Sequence, residues 1–497
     1  MIAGSASALA QEPLKINADL STVPSSVNSE LTYFMGRDNV VTNLQQIEKL
    51  GRLMVGQINQ DVWSDSYWND IQGGIAAPYA DSGALGMFLP FGNLRVTGNK
   101  DLFYSKHAVL WDSTAALTDE QIEKMSPAEK YDLLVGDTDF TLSRTVWDGV
   151  EFLHKNKPKF TASGQFLYDE NGNMLYEPKK AAITPFWQGI CNGWAAASLN
   201  LDRPLHSFVL TNARGQRIKF YPTDVQALAS QLWARSYING ALDGDGPDAR
   251  PVIRHSGYRC NTGTIARDFL TGRAKNPACN DVNPAVWHLA VINRVGIDKE
   301  GFIADTRTAD SVWNHPIKSY SYSYYNVLSG DYAGFENGKV PVGDVSDFRK
   351  YRAPGTKYII GVEMTAKFLN NIDAEVRESF SSEDDHWGEE TYTYDLELDA
   401  DYNVIGGEWR PQGRPDPTRI GDNAQNPNRL DHPDFIWSPL PGWKAFAIGD
   451  RLMGVDYGTW DGNGAVPPGV RAGAVKSSKV SQPLAEIVDL LISQSRK

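Results

Sequence analysis

A cysteine, a histidine and an aspartate of the types used in acyl chemistry follow one another along the chain. Cys191 lies in "FWQGICNGWAAASLN", after Pro185 and Gly189 and before a run of good helix formers from Trp194 to Leu199. This order predicts Cys191 at the N-terminus of a helix, where free N–H groups and the helix dipole favour a thiolate. Ala195, Ala196 and Ala197 let such a helix approach a core closely. Read alone, the motif also fits a buried cysteine serving as a small hydrophobe. His288, in "PAVWHLAVINRV", is expected at the start of a strand, with "GFIAD" returning as the second strand of a hairpin. That return places Asp305 beside His288, where a carboxylate orients an imidazole base and stabilises its charge. A turn centred on Lys299 and Glu300 brings Asp310 there instead. Gln188 and the Cys191 backbone N–H are candidate donors to a developing oxyanion.

The flanking elements follow from periodicity and punctuation. "SPAEKYDLLVG" predicts a helix capped by Ser126, with Pro127 in the first turn and Gly136 as the stop. In "TDVQALASQLWARSY", Val225, Leu228, Ala229, Leu232 and Trp233 share one helical face, with Thr223 as cap. "TYTYDLELDADYNVIGGEW" alternates Tyr392, Tyr394, Leu396 and Leu398 and predicts a second hairpin. From Pro411 to Pro441 the density of Pro, Asn, Asp and Gly argues against regular structure and for a segment that wraps a surface or completes a cleft. A terminal helix carries Leu484, Ile487, Val488 and Leu491 on one face.

Composition narrows the function. The 497 residues carry a formal charge of −13, which argues against nucleic acid or an anionic membrane as the main partner. No stretch reaches the roughly 18 apolar residues of a membrane span. Ala8-Leu9-Ala10 matches a signal-peptidase site, so residues 1–10 read as a signal-peptide remnant and the protein as secreted or extracytoplasmic. Of three cysteines, Cys260 and Cys279 are placed to form a bridge across a Gly, Asn and Pro-rich loop, leaving Cys191 unpaired. The histidines show no zinc-type ligand pair. Asp243, Asp245 and Asp248 in "DGDGPD", and the acids of "SSEDDHW", read as solvated loops lacking the EF-hand spacing.

A glutamine-containing turn, a cysteine at a helix start, then a histidine and an aspartate resembles the papain-like and transglutaminase catalytic core. "VWNHPIKSY", at residues 312–320, is similar to the surface peptide of the oomycete calcium-dependent transglutaminase elicitor family. "MSPAEKYDLLVGD", "QGICNGWAAAS" and "NPAVWHLAVINRVG" occur in the order that family leads one to expect, and the resemblance spans roughly residues 60 to 440. It implies an α+β fold in which a helix carrying Cys191 packs on an antiparallel sheet. A mostly helical region (11–150) precedes the catalytic core (151–366), a β-rich region (367–465) follows it, and a linker with the terminal helix (466–497) ends the chain. It also implies a secreted protein-glutamine gamma-glutamyltransferase that forms a thioester on Cys191 and passes it to a lysine or other amine of a protein substrate. Calcium is implied by the resemblance, whereas the residues themselves require no cofactor. Trp313, Asn314, Pro316 and Tyr320 form the exposed peptide on this reading, with His315 where the family more often has glutamine. Hydrolysis by the same cysteine, as a protease or glutamine deamidase, and a non-enzymatic surface protein on the same scaffold are the rival readings.

Overall fold

The computed structural model describes residues 27–51, 53–81, 117–159, 175–179, 185, 187–236, 242–243, 250–251, 253–257, 282–306, 311–410, 432–439 and 458–497. The signal-peptide remnant, the Cys260 and Cys279 pair, Asp310 and most of "DGDGPD" lie outside these residues. The longer helices are α1 (Val27–Met35), α2 (Pro127–Val135), α3 (Thr141–Lys155), α4 (Cys191–Asn200), α5 (Pro222–Ser236), α6 (Pro284–Ala290), α7 (Pro468–Ser478) and α8 (Ala485–Ser495).

Helix starts track the sequence where polar caps set them. Ser126 accepts the Glu129 N–H at 3.2 Å, and the Glu129 carboxylate accepts the Ser126 N–H at 2.8 Å, so α2 begins on a reciprocal capping box. Gly136, at φ 75°, ends it. In α5 the apolar face is as expected, with Val225, Leu228, Ala229, Leu232 and Trp233 all buried. Its cap is not Thr223, however. The Tyr221 N–H donates to the Asp224 carboxylate at 2.8 Å, and the Thr223 hydroxyl instead donates to the Glu375 carbonyl at 2.7 Å.

The sheet strands are β1 (Val55–Gln57), β2 (Ile253–Gly257), β3 (Ile303–Asp305), β4 (Asn314–Tyr325), β5 (Val340–Pro341), β6 (Tyr358–Asn370), β7 (His386–Leu398), β8 (Val404–Trp409) and β9 (Phe435–Pro439). They form one antiparallel sheet in the order β8-β7-β6-β4-β3-β9-β2, with β1 also on β4 and β5 also on β6. The architecture is α+β. β7 and β8 are the hairpin read from the Tyr and Leu alternation, and Tyr392, Tyr394, Leu396 and Leu398 are all buried. The sheet draws strands from three of the regions outlined above: β1 from 11–150, β3 and β4 from 151–366, and β7 to β9 from 367–465.

Two segments depart from the sequence reading. The expected hairpin from His288 to Asp305 is half helix: α6 continues into a π-type helix over Val291–Asp298, and only Ile303–Asp305 is a strand. Asn283 caps α6 by accepting the Ala285 N–H at 2.9 Å, and Pro284 fits its first turn. Residues 284–296 are all buried, so every side of the helix is covered and the run loses the periodicity that separates helix from strand. The second departure is β9. Phe435–Pro439 lies between β3 and β2, inside a stretch expected to lack regular structure.

α4 is fixed between α5 and β4. A Cβ on Gly193 would stand 2.1 Å from the Ser230 carbonyl, so glycine is what lets α4 and α5 approach. Two buried tryptophans tie down its flanks, Trp194 Nε1 donating to the Trp63 carbonyl at 2.9 Å and Trp63 Nε1 to the Leu201 carbonyl at 3.1 Å. Each of these two indole N–H groups finds an acceptor, which offsets the cost of burying it.

Candidate active site

Cys191 is the first residue of α4, as the sequence predicts, and it is buried. Ile190 precedes it without a side-chain cap, and the Gly193 and Trp194 N–H groups already bond the Ile190 carbonyl at 3.0 and 3.1 Å. The turn before it is clamped to residues 67–70. The Ile190 N–H donates to the Tyr67 carbonyl at 2.7 Å and the Asp70 N–H to the Gln188 carbonyl at 2.9 Å. Gln188 Nε2 donates to Asp70 Oδ2 at 2.8 Å. A Cβ on Gly189 would lie 2.2 Å from the Tyr67 carbonyl oxygen, so this backbone approach admits only glycine. Burial holds the Asp70 carboxyl above its usual range, opposed by the Gln188 hydrogen bond and the charges of Arg235 and Lys179.

On the sheet side the sulfur meets the start of β4. Asn314 Nδ2 donates to Cys191 Sγ at 3.3 Å, and the thiol lies 3.8 Å from the Val312 carbonyl oxygen. Trp437 Nε1 donates to Asn314 Oδ1 at 2.8 Å. Asp305 is the cross-strand partner of Asn314 on β3 and accepts the Trp313 N–H at 3.4 Å. Tyr67 and Trp313, both half-buried, pack edge to face at 5.3 Å beside this group. Burial lifts the Tyr67 phenol above its usual range, opposed by its hydrogen bond with Asn69.

His288 is elsewhere. It sits on α6, with Nδ1 2.9 Å from the Tyr394 hydroxyl and its ring 5.0 Å from that of Tyr322. Tyr322 is eight residues along β4 from Asn314, ~26 Å of strand at ~3.3 Å per residue. The expectation that a hairpin presents His288 to Cys191 is therefore corrected. The segment is a helix packed over the middle of the sheet, and burial pushes the imidazole down to about 3, since nothing there offsets the lost hydration of its charged form. His315 adjoins Asn314 in sequence but lies on the opposite side of the strand, its Nδ1 2.8 Å from the Leu369 carbonyl. The structure thus brings Cys191, Gln188 and Asp305 to one end of β4 and leaves His288 apart.

The exposed peptide is also corrected. Asn314, Pro316 and Tyr320 are buried and Trp313 is half-buried, because β4 pairs with β3 and β1 on one side and β6 on the other. In "SSEDDHW", Asp385 pairs with Arg203 at 2.8 Å and Asp384 with Arg377 at 3.2 Å. Among the described residues no group of three or more His, Cys, Asp or Glu side chains is placed to hold a metal ion. No described helix is long and apolar enough to cross a membrane.

Residues 112–457 match the family model described as transglutaminase elicitor. The chain belongs to the transglutaminase elicitor family. It is also similar to the crystal structure of the GP42 transglutaminase from Phytophthora sojae, at 17% identity and a TM-score of 0.46, over 83% of this chain and 90% of that one. No curated protein matches it significantly. This member of the family carries site residues that sequence reading did not assign to the cysteine. Asn314 entered only as part of a surface peptide, and Trp437, Tyr67 and Asp70 did not enter. Asn314 and Trp437 stand 123 and 246 residues from Cys191, and no local spacing signals such a contact. The one available signal is "FIW", an apolar β-rich triplet in a Pro and Asn-rich segment, which marks a strand there.

Proposed function

We propose that this protein is a secreted acyltransferase of the transglutaminase type with Cys191 as its nucleophile. The observation that carries the reading is a cysteine at a helix start whose sulfur is met by the Asn314 amide, in a chain of the transglutaminase elicitor family. The sulfur attacks the carboxamide carbon of a protein glutamine. The C–S bond forms, the C–N bond breaks, and ammonia leaves with the proton that the thiol carried. A lysine or other amine then attacks the thioester, the C–N bond forms, the C–S bond breaks, and a proton from the amine returns to sulfur. Asp305 belongs to this reading as the residue opposite Asn314 on β3, its carboxylate accepting the Trp313 N–H, and Gln188 through its hold on the turn before Cys191. His288 does not. The resemblance that suggests calcium names no ligand set among the described residues, and no step above is routed through the cation.

The test is incubation with a glutamine-containing acceptor protein and a fluorescent amine, with and without calcium. The expected result is labelling that Cys191→Ala abolishes. Mass analysis separates a cross-link from a one-unit gain on glutamine, the deamidase outcome, and from peptide cleavage, the protease outcome. No labelling in either condition, with Cys191→Ala indistinguishable from the parent, rejects the reading.

A further inference from the structure

We infer that Asn314 is a catalytic residue, the fixed donor that holds the Cys191 thiolate and then the oxyanion of the tetrahedral intermediate, the role the sequence suggests for Gln188. The inference rests on the acyl-transfer reading for its second half and on geometry alone for its first. The orientation of the Asn314 amide follows from its neighbours. An indole N–H only donates, so the 2.8 Å contact from Trp437 Nε1 requires the Asn314 oxygen on that side and its NH2 on the other, 3.3 Å from Cys191 Sγ. Asn314 is 4% exposed, and Trp437, on β9, holds the amide against rotation toward water. The donor therefore needs little reorganisation when charge develops, the condition under which such groups accelerate acyl transfer most. One N–H of the Gln188 amide is committed to Asp70 at 2.8 Å, which makes that side chain a brace for the turn before Cys191.

The step is as follows. As the C–S bond forms, the carbonyl π pair moves to oxygen, which lies one bond angle from sulfur. A donor in contact with Sγ reaches that oxygen by a small shift, to the range of about 2.7–3.1 Å expected of an oxyanion donor. The pair returns to carbon as ammonia departs, and the Asn314 N–H reverts to sulfur.

Asn314→Asp separates this role from support of the fold. Its carboxylate keeps an acceptor for Trp437 and nearly the same shape, and loses the donor to sulfur. The expected result is a kcat for amine incorporation lower by about 10²-fold or more, with KM for the glutamine substrate within about threefold and melting close to the parent. A folded Asn314→Asp retaining kcat within threefold overturns the assignment. Trp437→Phe, which leaves the amide in place but unpinned, is expected to lower kcat by about tenfold, and an unchanged kcat there also counts against it. A second readout needs no transferase activity: the pH dependence of Cys191 alkylation by iodoacetamide, located by mass analysis. Asn314→Leu should shift its midpoint upward by about one pH unit, a tenfold loss of thiolate near neutrality. Coincident profiles overturn the thiolate half. If the parent transfers to no acceptor yet the midpoint shifts, the transferase reading fails and Asn314 as the thiolate's donor stands.

Discussion

The two ends of β4 treat their reactive side chains in opposite ways. At the Asn314 end, buried polar atoms meet directional partners: Trp437 donates to Asn314, Asn314 donates to Cys191, and Asp305 accepts from Trp313. The half-buried rings of Tyr67 and Trp313 lie beside them. At the other end His288 is enclosed by Tyr322 and Tyr394, with one tyrosine hydroxyl at its Nδ1, and Nε2 is buried without a partner. Burial is complete for both Cys191 and His288, so burial does not separate a reactive group from a structural one. The surroundings do. A sulfur facing a pinned donor is prepared to carry charge, and an imidazole among phenol rings with no carboxylate is held neutral.

The largest expected effect lies in this contrast. Cys191→Ala should remove amine incorporation to background while His288→Gln, which can still bond the Tyr394 hydroxyl, should keep turnover within about threefold. If His288 were the base, its variant would fall as well, by the roughly 10²–10⁴-fold that is usual for such a group. Next is Gly189→Ala. The added methyl must displace the Tyr67 carbonyl and with it the turn that sets Cys191, so activity should fall by about 10²-fold, the cost of a misplacement near 1 Å. Melting should fall by several degrees, corresponding to about 1–3 kcal/mol of overpacking.

The third contrast is in pH dependence. His288, pushed down to about 3, stays neutral in the folded chain while the unfolded chain takes up a proton below its ordinary value near 6.5. Stability is therefore lost as pH falls from about 6.5 toward 3, by at most about 1.4 kcal/mol per pH unit for this one group. His255, pushed down to about 4 by burial, acts in the same sense. Asp65 and Asp132, raised by burial to about 7 and about 8, act oppositely, since the folded chain keeps protons that the unfolded chain releases. The test is thus a difference: chemical denaturation of the parent and of His288→Gln between pH 4 and 6, with the variant gaining stability relative to the parent as pH falls. Parallel profiles would mean that His288 is charged in the fold. Smallest is Gln188→Ala, expected to cost about 1 kcal/mol in stability through the lost bond to Asp70 and to lower kcat only a few-fold, measured in the same amine assay. A loss as large as that of Asn314→Asp would return the oxyanion role to Gln188.

How much of this was legible in the sequence depended on whether the deciding contact was local. The Ser126 capping box, the α5 face, the β7 and β8 hairpin and Cys191 at the start of α4 each rest on residues within a few positions of one another. The His288 segment misled because Val, Ile and Ala in a fully buried run suit either a strand or a helix, and Asn283 with Pro284 supplied a helix start that outweighed the β-branched composition. "VWNHP" misled differently. Its types suit a surface peptide, yet Asn314, His315 and Pro316 pair with β3 and are buried there.

By itself, the sequence determined the α+β class, the helix that presents Cys191, the hairpin of β7 and β8, and the family to which the chain belongs. Only the tertiary structure decided what the sulfur touches. Side chains 123 and 246 residues away from it come together because β9 is laid beside β3 and β3 beside β4, and hydrogen-bonded registers of that kind are set by the packing of the whole sheet, not by any short run of residues.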